Sequence, residues 1–335
     1  MPLLEVKNLH TYFKTRNGTV KAVNDVSYSL EPGKTVGIVG ESGSGKSVSA
    51  MSILRLLDAN GYIAEGEVIF DGQDLTKLET KDLYHIRGNS ISVIFQEPMT
   101  SLNPVFSVKR QLSEPFMIHQ GMSKKEAEQK ALEMLEAVQI PNPAAVLRQY
   151  PHQLSGGMRQ RVMIAIALAC KPKVLIADEP TTALDVTIQA QIIDLMKDLQ
   201  KKLGTTIILI THDLGVVANI ASRIVVMYSG KIMEKGTVDQ IFYGHKHPYT
   251  WALLNAAPNL QLGNKQKLLS IEGTPPDLID PPKGCPFAAR CKYCMNVCVN
   301  EAPEEYEFEK DHKVACWLYH PESGYADIDF SKEAE

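Results

Sequence analysis

The segment that most constrains the fold of this chain runs from Gly40 to Ser47 and reads GESGSGKS. It fits the pattern G-x-x-x-x-G-K-[ST], in which a glycine-rich loop holds phosphate groups. The apolar run TVGIVG before it predicts a buried strand, and SVSAMSILRLL after it predicts a helix. The motif requires this order of strand, loop and helix. The alternative is a glycine-rich turn between a strand and a helix that binds no ligand.

Each part of this segment has a chemical role in binding a nucleotide. The glycines let successive backbone N–H groups curl around phosphate oxygens, and the start of the helix adds the positive end of its dipole. Lys46 can reach the β- and γ-phosphates, and Ser47 can ligate Mg²⁺. The residues that we expect to hold the nucleotide here are Gly40, Ser42, Gly43, Ser44, Gly45, Lys46, Ser47 and Val48.

Two acidic residues, Asp178 and Glu179, follow a second apolar run, VLIAD, which also predicts a strand. The carboxylate of Asp178 suits the coordination of Mg²⁺, either directly or through water. Glu179 suits the polarisation of an attacking water molecule as a general base. An isolated Asp-Glu pair can instead cap the next helix. Together with the glycine-rich loop, the pair predicts hydrolysis of the bound nucleotide.

The order of the predicted elements indicates an α/β fold. A helix begins at Ser123, where Glu126 completes a capping box, and ends before Pro141. Another helix carries an apolar stripe from Ile188 to Leu203. Strands alternating with helices predict a parallel sheet covered on both faces. The predicted strands are 3–6, 26–30, 35–40, 67–70, 90–95, 174–178, 206–211 and a run centred on Val226.

The composition narrows the class of protein. A chain of 335 residues with 44% hydrophobic residues can form one large domain and an appendage, or two domains. The net charge of −4 gives no basic field for a nucleic-acid partner. The N-terminus has no signal peptide pattern, and the longest apolar run, Val162 to Cys170, is about half as long as a membrane span. We expect a soluble cytoplasmic chain, whose membrane partners would be other proteins.

Five of the six cysteines lie between Cys285 and Cys316, with the spacing C-x5-C-x2-C-x3-C before the last one. A disulfide framework would need an oxidising compartment, which the missing signal peptide argues against. Zinc accepts four thiolates, although two paired C-x-x-C units are not seen. An iron–sulfur cluster also accepts four thiolates and tolerates uneven spacing. The residues alone leave both metals open. Either would tie together a proline-rich segment that we expect to be too poor in apolar residues for its own core. Cys170 is predicted to be buried.

The segment LSGGMRQR, from Leu154 to Arg161, points to a family. With the loop and the acidic pair, it resembles the ATP-binding subunits of ABC transporters over about residues 3 to 245. The resemblance implies a P-loop NTPase of the ABC ATPase type, in which a RecA-like core carries an antiparallel β subdomain and a helical subdomain. It implies an ABC nucleotide-binding domain at 1–250, with the helical subdomain at about 97–165, and a small Cys-rich C-terminal extension at 251–335.

The resemblance also assigns single residues. Gln96 matches the Q-loop glutamine, Asp185 closes the D-loop Ala-Leu-Asp, and His212 matches the switch histidine that contacts the γ-phosphate. Phe13, with Tyr12 as the alternative, matches the aromatic residue that stacks on adenine. Outside this family pattern, each could be an ordinary loop or core residue. The implied catalytic residues are Glu179, His212 and Gln96, and the implied Mg²⁺ ligands are Ser47, Gln96 and Asp178.

In the family, the signature residues Ser155, Gly156 and Gly157 serve the nucleotide held by the opposite subunit. The serine hydroxyl and the N–H groups beside the glycines would approach the γ-phosphate at a helix start. LSGG alone could be a simple helix cap. The resemblance implies that two subunits close around two ATP molecules. ATP favours the closed dimer, and hydrolysis opens it.

Two further stretches resemble the oligopeptide, dipeptide and nickel importer branch of the family. They are EPMTSLNPVFSV at 97–108, and HPYTWALLNAAP at 247–258 followed by GTPPDL and PPKGCPFAARC. This resemblance implies import of di- or oligopeptides, with nickel or another small solute as the alternative. It implies two transmembrane permease subunits, a homologous ATPase partner in a heterodimer, an extracytoplasmic peptide-binding protein and a peripheral position on the cytoplasmic face of the membrane.

The same branch implies a [4Fe–4S] cluster held by Cys285, Cys291, Cys298 and Cys316, with zinc as the alternative and Cys294 outside the shared pattern. Two rival functions are a soluble ABC-type ATPase that acts on nucleic acid, and an iron–sulfur redox protein with an incidental nucleotide site. The first rival usually has two cassettes, coiled-coil inserts or basic tails, and none is seen in this sequence.

Overall fold

The computed structural model describes residues 1–96, 101–182, 184–256, 271–325, 328 and 330. The chain divides into two compact units. The first unit contains Met1, 30–35 and 77–210, and the second contains 2–29, 36–76 and 211–335. The predicted domain boundary near residue 250 stays a prediction.

The strands, in chain order, are β1 (Leu4–Thr15), β2 (Gly18–Leu30), β3 (Thr35–Val39), β4 (Gly61–Phe70), β5 (Gln73–Asp74), β6 (Ile91–Ile94), β7 (Val174–Asp178), β8 (Thr206–Ile210), β9 (Arg223–Tyr228), β10 (Lys231–Thr237), β11 (Glu305–Glu309) and β12 (His312–Ala315). The α-helices are α1 (Lys46–Ile53), α2 (Thr80–Ile86), α3 (Val108–Gln120), α4 (Lys124–Ala137), α5 (Pro143–Val146), α6 (Gly156–Leu168), α7 (Val186–Leu203), α8 (Leu214–Ile220), α9 (Val238–Tyr243), α10 (Pro248–Ala256) and α11 (Asn296–Asn300).

Four strands of the second unit form a sheet in the order β2-β1-β4-β5, and β4 runs antiparallel to both of its neighbours. β1 and β2 are much longer than the sequence predicted. A bulge explains the difference for β1, because its register with β4 shifts between Lys7 and His10 and Asn8 has a φ of +45°. A bulge breaks the alternation of apolar and polar residues that marks a strand in the sequence.

The second unit also contains the strand that leads into the glycine-rich loop. β3 pairs in parallel with β9, β9 continues antiparallel into β10, and β12 and β11 extend this arrangement antiparallel. All five residues of β3 are buried. Burial of consecutive residues means that both faces of this strand are covered, as expected for parallel strands in α/β proteins.

The first unit combines three parallel strands with a group of helices. β7 lies between β6 and β8, and every residue of β7 and β8 is buried. The capping box predicted at Ser123 and Glu126 is present, and α4 buries Ala127, Ala131 and Leu135 on one face. The three predicted strands of this unit and the helices predicted at Ser123 and at 188–203 are therefore present, whereas α2, α3 and α5 were not predicted.

The C-terminal segment, defined as the chain from His247 onward, differs from the sequence expectation in one respect. It was expected to be too poor in apolar residues to form a core. Val314, Cys316, Leu318, Tyr319 and Phe330 instead form a buried cluster, against which Trp251 and four other apolar side chains pack. Aromatic residues account for the difference, because a few rings bury much area. Among the described residues, no helix has the length and apolar character required to cross a membrane.

Candidate nucleotide-binding site

The backbone of the loop between β3 and α1 requires glycine at its two ends. Gly40 has a φ of +150° and Gly45 has a φ of +94°. A side chain at Gly40 would collide with the carbonyl oxygen of Met227, and one at Gly45 would collide with that of Ala22. Only glycine combines these φ values with such close backbone contacts. The spacing of the motif therefore follows from local packing as well as from phosphate chemistry.

The side chain of Lys46 is 6% exposed and folds back onto this loop. Its Nζ atom donates to the carbonyl oxygens of Gly40 and Glu41, each at 2.8 Å, and to Ser44 Oγ at 3.4 Å. No side chain caps the start of α1 at Gly45. An uncapped helix start beside an ammonium group is a favourable place for an anion. Ser47 and Val48 lie in the first turn of this helix.

In the first unit, the predicted catalytic carboxylate is held in an unusual conformation. Glu179 has a φ of +46°, which is rare for a residue with a side chain and is often found at functional sites. Its Oε2 atom accepts hydrogen bonds from Gln96 Nε2 at 2.9 Å and from Thr182 Oγ1 at 2.8 Å. Its N–H donates to the carbonyl oxygen of Ile210 at 2.8 Å. Asp178, at the end of β7, is 6% exposed.

The signature residues form the start of α6 in the same unit. Ser155 is the N-cap of this helix, and its Oγ atom accepts from the N–H of Met158 at 3.3 Å. Ser155 and Gly156 are exposed. Gly157 lies against Ile188, since a Cβ added to Gly157 would meet Ile188 Cγ2 at 3.1 Å. Asp185 caps α7 by accepting from the N–H of Ile188 at 2.9 Å.

Three further predicted residues lie in the second unit. His212 lies two residues after the end of β8 in sequence and is exposed. Phe13 is half-buried and its ring lies over Gly61 of β4. Tyr12, the alternative to Phe13, hydrogen-bonds to His10 through its hydroxyl group at 3.1 Å. The roles given to these residues stay predictions. Residues 97–100 of the first importer stretch, Ala183 of the D-loop and residues 257–258 lie outside the described residues.

All six cysteines are described, and each is a free thiol. Cys285, Cys291, Cys298 and Cys316 line one cavity together with Phe287 and Leu318, and the first, third and fourth of these cysteines are buried. Cys294 is exposed and does not line this cavity. Cys170 is half-buried, and not fully buried as the sequence predicted.

The thiols of Cys285, Cys291 and Cys316, which line this cavity, are weak acids, because they are buried close to one another. Burial raises the pKa of Cys285 to about 11 and the pKa of Cys291 to about 12, and neighbouring thiolates raise both further. Burial also raises the pKa of Cys316. Thiolates gathered here need a positive charge to offset these costs, and a metal supplies one. The described residues nevertheless include no group of three His, Cys, Asp or Glu side chains arranged around a single metal ion.

Sequence patterns missed the residues that hold Glu41, the second residue of the loop. Arg290 forms an ion pair with its carboxylate at 2.6 Å, although the two residues are 249 positions apart. The Tyr249 hydroxyl accepts a hydrogen bond from the Glu41 N–H at 2.9 Å. No local signal marks such partners. The only hint was that Arg290 lies between two of the clustered cysteines.

Two family models match the chain. The model described as "ABC transporter" matches residues 23–182. The model described as "Oligopeptide/dipeptide transporter, C-terminal region" matches residues 233–298. The second match covers α10 and three of the four cysteines that line the cavity.

Curated proteins and solved structures are similar over most of the chain. The oligopeptide transport ATP-binding protein OppD of Bacillus subtilis is 53% identical over 96% of this chain and 90% of its own length. The dipeptide transport ATP-binding protein DppD of the same organism is 54% identical over 94% of each chain. A solved dimer of an ATP-binding cassette in a post-hydrolysis state, bound to ADP and phosphate, has a TM-score of 0.64 and 31% identity, covering 70% of this chain and 98% of that chain.

These matches confirm the predicted family, the α/β fold of an ABC cassette and the expectation of an ATPase. ATP and Mg²⁺ are the ligands typical of such ATPases. Since identities near 50% extend over nearly the whole chain and both family models match, the chain belongs to the ATP-binding subunits of ABC transporters, in the branch defined by the oligopeptide/dipeptide C-terminal region.

Proposed function

We propose that this chain hydrolyses ATP to power the import of dipeptides and oligopeptides through a membrane transporter. The observation that carries the proposal is the identity of about half of all positions to OppD and DppD proteins, which includes the C-terminal region of that branch. The cargo does not need to touch this chain. Its identity is therefore inferred from the branch and not from a pocket.

The residue roles follow from the chemistry of phosphoryl transfer. Lys46 and the backbone of residues 40–48 hold the phosphates, and Ser47, Asp178 and Gln96 serve Mg²⁺. Glu179 polarises the attacking water, and its hydrogen bonds to Gln96 and Thr182 hold its carboxylate in one orientation. His212 contacts the γ-phosphate, and Phe13 stacks on the adenine ring.

Two ATPase subunits complete each site. Ser155 and Gly156 are exposed at the uncrowded start of α6, where a partner's nucleotide can reach them. ATP then stabilises the closed dimer because it binds that state more tightly than the open one. Hydrolysis removes the bridging phosphate and lets the subunits separate. The second ATPase subunit in this proposal is a homologue, and an extracytoplasmic protein delivers the peptide.

Two transmembrane permease subunits convert the closing motion into transport. The chain itself works as a peripheral subunit on the cytoplasmic face of the membrane. This arrangement agrees with the relatives, whose names are those of transport ATP-binding proteins. It also separates the proposal from a soluble ATPase that acts on nucleic acid, which would co-purify with RNA instead of membrane proteins.

Transport of labelled cargo tests the proposal. The chain is purified with the membrane proteins that bind it, and the assembly is placed in lipid vesicles with ATP. We expect ATP-dependent uptake of a labelled di- or tripeptide, abolished when Lys46 is replaced by Ala. Uptake of Ni²⁺ without uptake of peptide would assign the chain to a nickel importer. Co-purification with RNA alone would overturn the transport function.

We also propose that Cys285, Cys291, Cys298 and Cys316 hold a [4Fe–4S] cluster, with zinc as the competing occupant. The support is the single cavity that the four thiols line. The cluster would supply cross-links between three parts of the C-terminal segment: the 285–291 loop, α11 and the residue that follows β12. Its role would be structural, because these cross-links would hold together a segment whose own apolar core is small.

Metal analysis of two cysteine variants tests this assignment. Cys298→Ser is expected to lose iron and acid-labile sulfide, whereas Cys294→Ser, whose thiol lies outside the cavity, is expected to retain both. The proteins are purified without oxygen, and iron, sulfide and zinc are measured per chain. A colourless wild-type protein with stoichiometric zinc would replace the cluster by zinc.

A further inference from the structure

Glu41, the second residue of the phosphate-binding loop, is held by the C-terminal segment through its side chain. Arg290 Nη1 and Nη2 donate to Glu41 Oε2 and Oε1 at 2.6 and 3.0 Å. This bidentate geometry, with two parallel hydrogen bonds from guanidinium to carboxylate, is among the strongest forms of ion pair. The Arg290 side chain is only 5% exposed and that of Glu41 is 24% exposed, so water screens the pair weakly.

Every N–H group of the Arg290 guanidinium has a partner. Besides Glu41, the acceptors are the Tyr228 hydroxyl at 3.0 Å and the carbonyl oxygens of Ile271 and Glu272 at 2.9 and 2.8 Å. Five donors with five acceptors fix the orientation of this planar group. The arginine therefore acts as a rigid, permanently charged clamp.

The backbone of Glu41 is held from the same segment. Tyr249 is fully buried, and its hydroxyl accepts from the Glu41 N–H at 2.9 Å. The Tyr249 ring packs against Tyr228 and Phe287, with centroid distances of 4.7 and 5.2 Å. Since Phe287 and Arg290 belong to the stretch between Cys285 and Cys291, one compact cluster holds both the backbone and the carboxylate of this loop residue.

Glu41 in turn contacts the lysine that defines the loop. Its carbonyl oxygen accepts from Lys46 Nζ at 2.8 Å. A shift of the Glu41 backbone would move this carbonyl oxygen and would therefore displace the Nζ atom of Lys46 that donates to it. Stability alone does not account for the clamp, because burying an ion pair often stabilises a protein no better than apolar side chains of similar size. Because the ion pair between Arg290 and Glu41 lies on the phosphate-binding loop, its role is to fix the conformation of that loop.

We propose that Arg290 and Tyr249 are positioning residues for ATP binding: they hold Glu41 so that the loop presents Lys46 and its N–H groups to the phosphates. The proposal rests on the proposed nucleotide site and extends it into the C-terminal segment. A transport subunit of this kind then needs its C-terminal segment for tight ATP binding, although this segment lies more than 200 residues after the loop.

Titration of the full-length chain with a fluorescent ATP analogue and Mg²⁺ tests the proposal. Arg290→Gln and Glu41→Gln are each expected to raise the Kd about tenfold, a usual size for coupling between sites. The double variant is expected to match the single variants, because each removes the same contact.

Two further variants separate the parts of the contact. Arg290→Lys keeps the positive charge but cannot donate two parallel hydrogen bonds, and it is expected to recover only part of the affinity for ATP. Tyr249→Phe removes the backbone contact alone and is expected to raise the Kd by a smaller factor.

Arg223→Gln is the matched control. Arg223 pairs with Asp311 at 3.2 Å in the same unit and joins β9 to the turn between β11 and β12, without contact to the loop. We expect its Kd to equal that of the wild type. A wild-type chain that binds no ATP would overturn the proposed function. Wild-type binding with an unchanged Kd in Arg290→Gln and Tyr249→Phe would overturn the positioning role, as would an equal loss of affinity in Arg223→Gln. If Arg290→Gln does not fold, Glu41→Gln and Tyr249→Phe decide the outcome.

Discussion

The backbone conformation of Glu179 is imposed by its surroundings, because a residue with a side chain rarely adopts a positive φ by itself. A left-handed backbone costs about 1–2 kcal/mol for a residue with a side chain. Glu179 is held in this conformation by the hydrogen bond from its N–H group to the carbonyl oxygen of Ile210. Its carboxylate also accepts hydrogen bonds from the side chains of Gln96 and Thr182. Such strain fixes the direction of a carboxylate, which suits a group that must aim at a water molecule.

Replacement of Glu179 by Gln tests the role of this carboxylate. The amide keeps the size of the side chain but cannot act as a base, so turnover is expected to fall about 100-fold or more. ATP binding is expected to remain. ATPase assays and nucleotide titration measure the two effects, and Glu133→Gln on the exposed face of α4 is the control. Turnover close to wild type would remove Glu179 from the catalytic role.

Lys46 is the residue whose loss should affect binding most directly. Its buried ammonium group is within reach of the loop carbonyls, and a phosphate would supply a stronger, charged acceptor. In Lys46→Ala, the affinity for ATP with Mg²⁺ is expected to fall about 10- to 100-fold. Isothermal titration measures it, and Lys7→Ala on β1 is the control. An unchanged affinity would count against the assignment of the loop.

At the scale of elements, the helix starts divide into two kinds. Ser107, Ser155 and Asp185 each cap a helix with a side-chain oxygen, whereas Gly45 gives α1 no such cap. An uncapped start leaves backbone donors for a ligand, and a serine-capped start can offer its hydroxyl to one. The cap alone does not show which serine has a further role. Ser107 and Ser155, which cap helices in the same way, can therefore be compared directly.

Ser155→Ala and Ser107→Ala compare two caps of similar geometry. Both serines begin helices of 13 residues and accept a backbone N–H, at 3.3 and 3.4 Å. Each substitution is expected to reduce the free energy of unfolding by about 1 kcal/mol. Only Ser155→Ala is expected to reduce ATP turnover as well. Thermal unfolding and ATPase assays measure the two effects. Equal turnover in both variants would make Ser155 a plain helix cap.

The exposed start of α6 leads to a prediction for the whole molecule. Ser155 and Gly156 are exposed, and Val186 at the start of α7 is 82% exposed, which is unusual for an apolar side chain. An exposed polar helix start with an exposed apolar neighbour is suited to a partner surface. The solved relative with ADP and phosphate is itself a dimer.

Dimer formation that depends on ATP is the expected behaviour. Glu179→Gln with ATP and Mg²⁺ is expected to elute as a dimer, because the uncleaved γ-phosphate keeps the closed state bound. The same protein with ADP is expected to elute as a monomer. Size-exclusion chromatography with light scattering measures the mass, and Glu179→Gln combined with Ser155→Ala is expected to stay monomeric. A monomer that hydrolyses ATP as quickly as the assembly would contradict the two-subunit site.

The sequence by itself determined the parts of this protein that depend on short-range rules. The strand, loop and helix around Lys46, the capping box at Ser123 and the strand at 174–178 follow from periodicity, backbone sterics and the hydrogen-bonding groups of adjacent residues. The length of β1 did not follow from these rules, because a bulge at Asn8 hides it.

Only the tertiary structure decided which distant residues meet. It placed Arg290 and Tyr249 on Glu41, gathered four cysteines around one cavity and formed a small aromatic core in a segment that looked too polar for one. It also gave Glu179 its left-handed backbone. Contacts across more than 200 positions leave no periodic signal in the chain, since they arise when the whole chain buries its apolar surface and pairs its polar groups at once.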